Sequence, residues 1–417
     1  MIITYLRNIV KIVKWKIILI TLGAIFLCLR LNTILGAANP SINQLIELNK
    51  CPICFGTNAC NFIKEIDIVT DDFLTFFSYW FGVKNVFFGM YNKKKVVLKK
   101  LAHTKELNLF DKSLHDTAEL RELMECFKNA QEKSNCNINI NHLIKNEISG
   151  NYNKENMRLR LCPTVVNLDT LFLTLYENNK FVNSNNLEVN FWTIVKINPE
   201  PILLQVLPSS HNWPVPTYLG ACGRLIIEEY VGLPLKYYYD KSWHLRIKIA
   251  SSLLNAAYLF TFRDKRFGYY LTDISADNIA IDVNHTAKFI DLENIIIVDK
   301  SMAQNKSGKW ETLHMTSMDE VGCKNCFAFS PEDICSHYLS DHNYYAICQL
   351  LLSHHSIDLP GGFLHNLPHE VKQKYPEIEY LMNQCAHPQK LQNRIDSGYK
   401  LKETLDKVLK VENNELI

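Results

Sequence analysis

The stretch Tyr269 to Glu293, YYLTDISADNIAIDVNHTAKFIDLE, constrains the fold of this chain more than any other. Asp273 is followed five positions on by Asn278, and then by a short apolar run, Ile279 to Val283. A polar turn at Asn284-His285 leads into a second run, Ala287 to Ile290, which ends on Asp291. Two such runs about a tight polar turn predict a β-hairpin. The hairpin would bring Asn278, at its entrance, and Asp291, at its exit, to the same end. A carboxylate beside an amide oxygen is a pair of hard donors of the kind Mg²⁺ accepts, so Asn278 and Asp291 are candidate metal ligands. A plainer reading has polar residues capping two surface strands, and the rest of the chain weighs against it.

The intervals resemble those of the protein-kinase catalytic loop, H-R-D-L-x-x-x-N, with its later D-F-G. On that resemblance Asp273 is the catalytic base, Asn278 the metal-binding amide and Asp291 the metal-binding carboxylate. Further landmarks fall in the same order. Val83 to Met90 and Lys95 to Leu101 read as strands about a turn at Asn92-Lys93. The second contains Val96-Val97-Leu98-Lys99, similar to V-A-I-K, whose lysine holds the α- and β-phosphates of a nucleotide. Glu106, seven residues beyond Lys99 at the head of a helical stretch (Leu107 to Phe127), is the candidate partner for that lysine. Glu119, Glu122 and Glu125 are alternatives, and a solvated helix face explains all of them.

Glu229-Tyr230-Val231-Gly232 resembles a kinase hinge, which meets adenine through backbone groups. Glu229 and Val231 therefore join Lys99 and Glu106 as candidate cofactor-binding residues; a strand end with a Gly turn is the local alternative. Ser330-Pro331-Glu332 is similar to the A-P-E that closes an activation segment. Asp341 stands where a kinase Asp holds the catalytic-loop backbone. The departures are equally specific. Only Gly82 and Gly89 stand near the first strands, where a kinase has G-x-G-x-x-G. Leu271-Thr272 replaces His-Arg, and Leu292-Glu293 replaces Phe-Gly, adding negative charge beside the metal site.

The chain begins with a second constraint. Arg7, Lys11, Lys14 and Lys16 precede an apolar run, Ile17 to Leu29, with small residues at Gly36, Ala37 and Ala38. That order reads as a secretory signal, and the run is short for a spanning helix; an uncleaved type II anchor is the alternative. Of thirteen cysteines, twelve lie beyond this segment. In a chain entering an oxidising compartment they predict disulfides, including a staple for the Cys51-to-Cys60 stretch. Cys51-x-x-Cys54 with Cys323-x-x-Cys326 could instead form a zinc site. Sequons at Asn284 and Asn305 fit the secretory route. The formal net charge of +2 forms no basic stripe, which argues against nucleic acid.

In order, the expected units are 1–38, a signal peptide or anchor; 39–80, a cysteine-rich extension; 81–228, a kinase-like N-lobe with an insertion at about 128–198; and 229–417, hinge and C-lobe. The aromatic run from Phe73 to Trp80 reads as core. The insertion is read as helix and loop, without chemistry. Ile202 to Leu207 and Arg224 to Tyr230 are predicted strands. Ser242 to Phe260 is a predicted amphipathic helix, since Leu245, Ile249, Leu253 and Ala257 share a face. His354-His355 reads as a solvated helix end, and two short helices, Glu377 to Cys385 and Lys400 to Leu409, close the chain.

Taken together, Cys51-Pro-Ile-Cys54-Phe-Gly, VVLK, Tyr218-Leu-Gly-Ala-Cys-Gly-Arg224, LTDISADN and DHNYYA resemble the divergent protein kinase domain family, in its deleted-in-autism branch. The resemblance runs from about Leu48 to the C-terminus. It implies an α+β, bilobal protein-kinase-like fold, with a small sheet-rich N-lobe and a helical C-lobe, disulfide-stapled. It also implies residence in the Golgi or secretion. The resemblance points to a pseudokinase acting on a receptor or a secretory-pathway protein in signalling or trafficking. The alternative is an active lumenal kinase using ATP with Mg or Mn to phosphorylate secretory substrates. A zinc-scaffolded interaction protein is a third reading. A membrane enters only if the N-terminal segment stays uncleaved.

Overall fold

A computed structural model describes residues 42–69, 85–128, 138–149, 159–178, 184–302, 327–354, 356, 358–388 and 393–415. The segment 1–38, the run from Phe73 to Trp80, Cys323, Cys326, His355 and the sequon at Asn305 lie outside these residues. The N-terminal region is built on an antiparallel sheet of β1 (Asp67–Val69), β2 (Val86–Tyr91), β3 (Lys94–Lys99), β5 (Tyr218–Cys222) and β6 (Leu225–Glu229) in the order β1-β2-β3-β6-β5. Asn92 and Lys93 join β2 to β3 with φ of 48° and 62°, the two-residue turn whose twist suits a hairpin. Alternation along β3 buries Val96 and Leu98 against Ile63, Ile66, Phe87, Leu225 and Ile227.

The cysteine-rich stretch is stapled to this sheet, as expected. Cys51 bonds Cys54, Cys60 bonds Cys222, and β1 adds an edge strand. The Cys51–Cys54 bridge removes both thiols from the proposed zinc site. At Gly223, φ is +61°, and a Cβ there would lie 1.7 Å from the carbonyl oxygen of Ile46, so only glycine allows the extension to pass so close. The next residue, Arg224, is buried and pairs with Asp111 and Glu47.

Helices α1 (Ile42–Ile46), α2 (Thr104–Ser113), α3 (Ala118–Lys128), α4 (Ile140–Ser149), α5 (Leu168–Asn178), α6 (Ser184–Ile197) and α7 (Glu200–Val206) accompany the sheet. The expectation of a strand at Ile202 to Leu207 is wrong. The segment is α7, with a proline in its first turn and Ile202, Leu203, Leu204 and Leu207 all buried. A short run that is mostly apolar carries too little periodicity to separate strand from helix, and the strand beside β6 in this part of the chain is Tyr218–Cys222 instead.

The C-terminal region is mainly helical. It contains α8 (Trp243–Tyr258), α9 (Pro331–Ser336), α10 (His342–Ala346), α11 (His369–Lys374), α12 (Glu377–Ala386) and α13 (Arg394–Glu415). Ser242 caps α8, its hydroxyl accepting from the Leu245 N–H, and Ile249, Leu253 and Ala257 are buried as their spacing requires. The closing helix is longer than the predicted Lys400 to Leu409. The predicted hairpin is present as β9 (Ile279–Ile281) and β10 (Ala287–Phe289), with β7 (Leu233–Pro234) beside β9. A separate sheet has the order β4 (Arg160–Cys162), β11 (Ile295–Asp299), β8 (Phe267–Leu271). Its β4–β11 pair is parallel, so the segment expected to be an insertion is woven into the strand that follows Asp291. Cys162 of β4 bonds Cys335 of α9, and Cys348 bonds Cys385.

Candidate active site

Strand β3 ends on Lys99, opposite Val86 of β2 and Ile226 of β6. Three oxygens surround its ammonium: Glu200 Oε1 at 2.8 Å, Glu228 Oε2 at 3.2 Å and the carbonyl oxygen of Ile290. An ammonium has three N–H bonds, so these partners match its whole donor capacity. Burial works against the charge of Lys99, but Glu200, Glu228 and, more weakly, Asp291 outweigh it and hold the lysine above its ordinary range. The side chains of Glu200 and Glu228 are 3% and 1% exposed. Burial raises both carboxyls, with Lys99 opposing the shift.

Glu106 is not the partner of Lys99. Its carboxylate accepts from the backbone N–H of His103 at 2.7 Å, closing a capping box at the start of α2. That local bond satisfies a helix-end donor and turns the side chain away from β3. Glu200 takes the role instead, at the first position of α7, where its own N–H bonds Asn198 Oδ1 at 3.0 Å. Asn198 also donates to Glu293 Oε2 at 2.7 Å and to the Leu101 carbonyl at 3.3 Å. The edge of the insertion, read from sequence as free of chemistry, therefore reaches the site through Asn198.

The hairpin brings Asn278 and Asp291 to one end, because the Ile290 N–H bonds the Asn278 carbonyl at 3.0 Å. The Asn278 amide donates to the backbone carbonyl of Asp273 at 3.3 Å, tying loop to hairpin. Asp273 itself is exposed, with Asn294 Nδ2 at 3.5 Å from Oδ2. Partial desolvation and then the charge of Asp291 push Asp273 above the usual carboxylate range, against the Asn294 hydrogen bond. The hinge-like residues lie at the end of β6. Glu229 accepts from the Thr217 hydroxyl at 2.7 Å and pairs with Lys288 at 3.2 Å, while Val231 is buried. Among the described residues, no group of three Asp, Glu, His or Cys side chains could hold a metal unaided.

Behind the loop, α10 anchors the strand that leads into it. His342 Nε2 lies 2.8 Å from the Leu271 carbonyl oxygen, and Asn343 accepts from the Leu271 N–H at 3.1 Å and donates to the Tyr269 carbonyl at 2.8 Å. Asp341, expected to hold this backbone, ion-pairs with the buried Arg394 at 2.6 Å. Burial holds the His342 imidazole down at about 4, against about 6.5 in an unfolded chain. Between these values the unfolded chain binds more protons, so this histidine's contribution is complete above about 6.5 and fades as pH falls toward 4. Going from pH 7.5 to 5 should remove about 2 kcal/mol of stability through His342. Melting curves at both pH values check this, and His342→Gln should flatten the dependence.

Sequence comparison shows the family of the chain. A family profile described as the protein-kinase domain of FAM69 matches residues 191–388, a span that holds Glu200, Glu228, Asp273, Asn278 and Asp291. Divergent protein kinase domain 2A of Homo sapiens is 32% identical over 389 residues, covering 87% of each chain. The protein of the same name in Xenopus tropicalis is 32% identical over 380 residues, again covering 87% of each. The chain belongs to the divergent protein kinase domain family. Divergent protein kinase domain 2B of Mus musculus is similar over a shorter part, 31% identical across 120 residues.

Against this family background, Glu200, Glu228, Asn198 and Asn294 are the site residues that sequence reading missed. Two of them left a signal. Glu200 opens the apolar run Pro201 to Leu207, and Glu228 interrupts the apolar strand of Leu225, Ile226 and Ile227. A carboxylate at an inward position needs a buried partner, and Lys99 is the cation in reach.

Proposed function

We propose that this member of the divergent protein kinase domain family is a lumenal or secreted pseudokinase, acting by contact with a receptor or secretory-pathway protein. The observation that carries this reading is the state of Lys99. It hydrogen-bonds Glu200 and the Ile290 carbonyl and ion-pairs with Glu228, so a nucleotide phosphate would have to displace one of these partners. The bridges Cys51–Cys54, Cys60–Cys222, Cys162–Cys335 and Cys348–Cys385 support an oxidising compartment. The sequon Asn284 is exposed at the hairpin turn, which suits a glycan acceptor.

A second reading, an active lumenal kinase, is favoured by the placement of Asp273, Asn278 and Asp291. Mg²⁺ is commonly held by one or two carboxylates together with substrate phosphates, and a pair such as Asp291 and Asn278 fits that use. When bound, the ion would neutralise charge on the phosphates. Asp273 would orient the acceptor hydroxyl and take its proton. Lys99 would grip phosphate after giving up one of its present partners.

The test uses the full chain expressed in animal cells. On the pseudokinase reading the protein enters the secretory pathway carrying a glycan on Asn284, and ATP with Mg²⁺ or Mn²⁺ leaves its melting temperature unmoved. A ligand at a hundred times its Kd would add about 2.7 kcal/mol, so binding is readily seen. A metal-dependent rise that Asp291→Ala abolishes would sink this reading in favour of the active kinase.

A further inference from the structure

We infer that Glu228 is an internal competitor for Lys99, holding the place beside the ammonium that a nucleotide phosphate needs and so setting the affinity of the cleft for polyphosphate anions. The inference deepens the pseudokinase reading and rests on it.

The two glutamates around Lys99 are not equivalent. Glu200 is the closer, hydrogen-bonded at 2.8 Å, and is built into the start of α7 through Asn198. Its pairing with Lys99 gives the lysine one carboxylate, which balances the charge. Glu228 is a second carboxylate against the same single cation. It sits on β6, opposite Val97 of β3, with Oε2 at 3.2 Å from Lys99. Its other oxygen, Oε1, is buried and has no hydrogen-bond partner among the described residues. The nearby Asp291 adds further negative charge, which acts on Lys99, Glu200 and Glu228 alike.

A buried carboxylate with one oxygen unsatisfied is expensive to keep, and a surplus one adds repulsion with no new cation to offset it. Packing does not require it, because a neutral glutamine has the same shape. What the charge does is occupy Lys99. An incoming phosphate would have to displace a carboxylate from the ammonium and would approach with Glu228 and Asp291 at its side. Replacing Glu228 by glutamine leaves beside Lys99 only a neutral acceptor, which a phosphate displaces more readily, and removes the repulsion of the carboxylate, while Glu200 keeps Lys99 in position.

The experiment compares the full-chain protein with Glu228→Gln by thermal melting and by titration with ATP, each with Mg²⁺ or Mn²⁺, and with inorganic tripolyphosphate. Glu228→Gln should melt at or above the wild-type temperature without ligand. It should bind ATP about tenfold or more tightly than the wild type, and Asp291→Ala in the Glu228→Gln background should lose the part that depends on metal. A folded Glu228→Gln protein that binds ATP and tripolyphosphate no better than wild type overturns the inference. If the wild type binds metal-ATP itself, the pseudokinase reading fails. The role of Glu228 then still stands or falls on the ratio of the two affinities.

Discussion

Lys99→Met should destabilise the protein by about 3–5 kcal/mol, the usual cost of removing one partner from a buried ion pair. The substitution is normally chosen to silence a kinase while leaving it folded. Here Lys99 is the cation facing both Glu200 and Glu228, whose side chains are 3% and 1% exposed. Without it, two carboxylates remain in a desolvated pocket with Asp291 nearby, and they must ionise unpaired or take up protons. At roughly 2 °C for each kcal/mol, the melting temperature should fall by roughly 6–10 °C. The triple variant Lys99→Met, Glu200→Gln, Glu228→Gln should recover most of that loss, because it removes the stranded charges and keeps the volume. A single variant melting within about a degree of wild type would show that the lysine is not buried in this way.

Cys162→Ser with Cys335→Ser should cost about 2–5 kcal/mol, the range for losing a native disulfide. The bridge spans 173 residues of sequence and joins β4 of the insertion to α9. Around it Tyr270, Ile296, Val298 and Ile334 form a small apolar cluster separate from the main core, and the bridge is the covalent tie between β4 and α9. Besides the bridge, Arg160 pairs with Glu332 at 3.2 Å, but Glu332 is 72% exposed, and a pair in water contributes little. The double serine variant should melt lower than wild type under oxidising conditions, and the gap should close when both proteins are fully reduced. A serine variant that melts with the oxidised wild type would show that β4 and α9 are held by other contacts.

Both expectations concern residues whose partners lie far along the chain, and this separates what was legible from what was not. The hairpin, with Asn278 and Asp291 at one end, could be read from residues 269–293 alone. Its turn, its two apolar runs and its interval are local quantities, and backbone pairing within a hairpin depends on little beyond them. The same holds for Lys99 on the strand after the Asn92-Lys93 turn, for that turn itself and for the capped helix after Ser242. In each, the chemistry that decides the conformation sits within a few residues.

The partner of Lys99 was not legible. Glu106 is near in sequence, but a bond to His103 N–H three residues away claimed it first. Glu200 is 101 residues from Lys99, delivered by the helices between them and by α7, whose mostly apolar run reads equally well as strand. The parallel pairing of β4 with β11, and the passage of the backbone anchor from Asp341 to His342 and Asn343, were hidden for the same reason. The sequence by itself determined the local elements and the residue types available for chemistry. The tertiary structure decided which charges leave water together, because the partner of a buried charge is whatever the fold desolvates beside it, however distant along the chain.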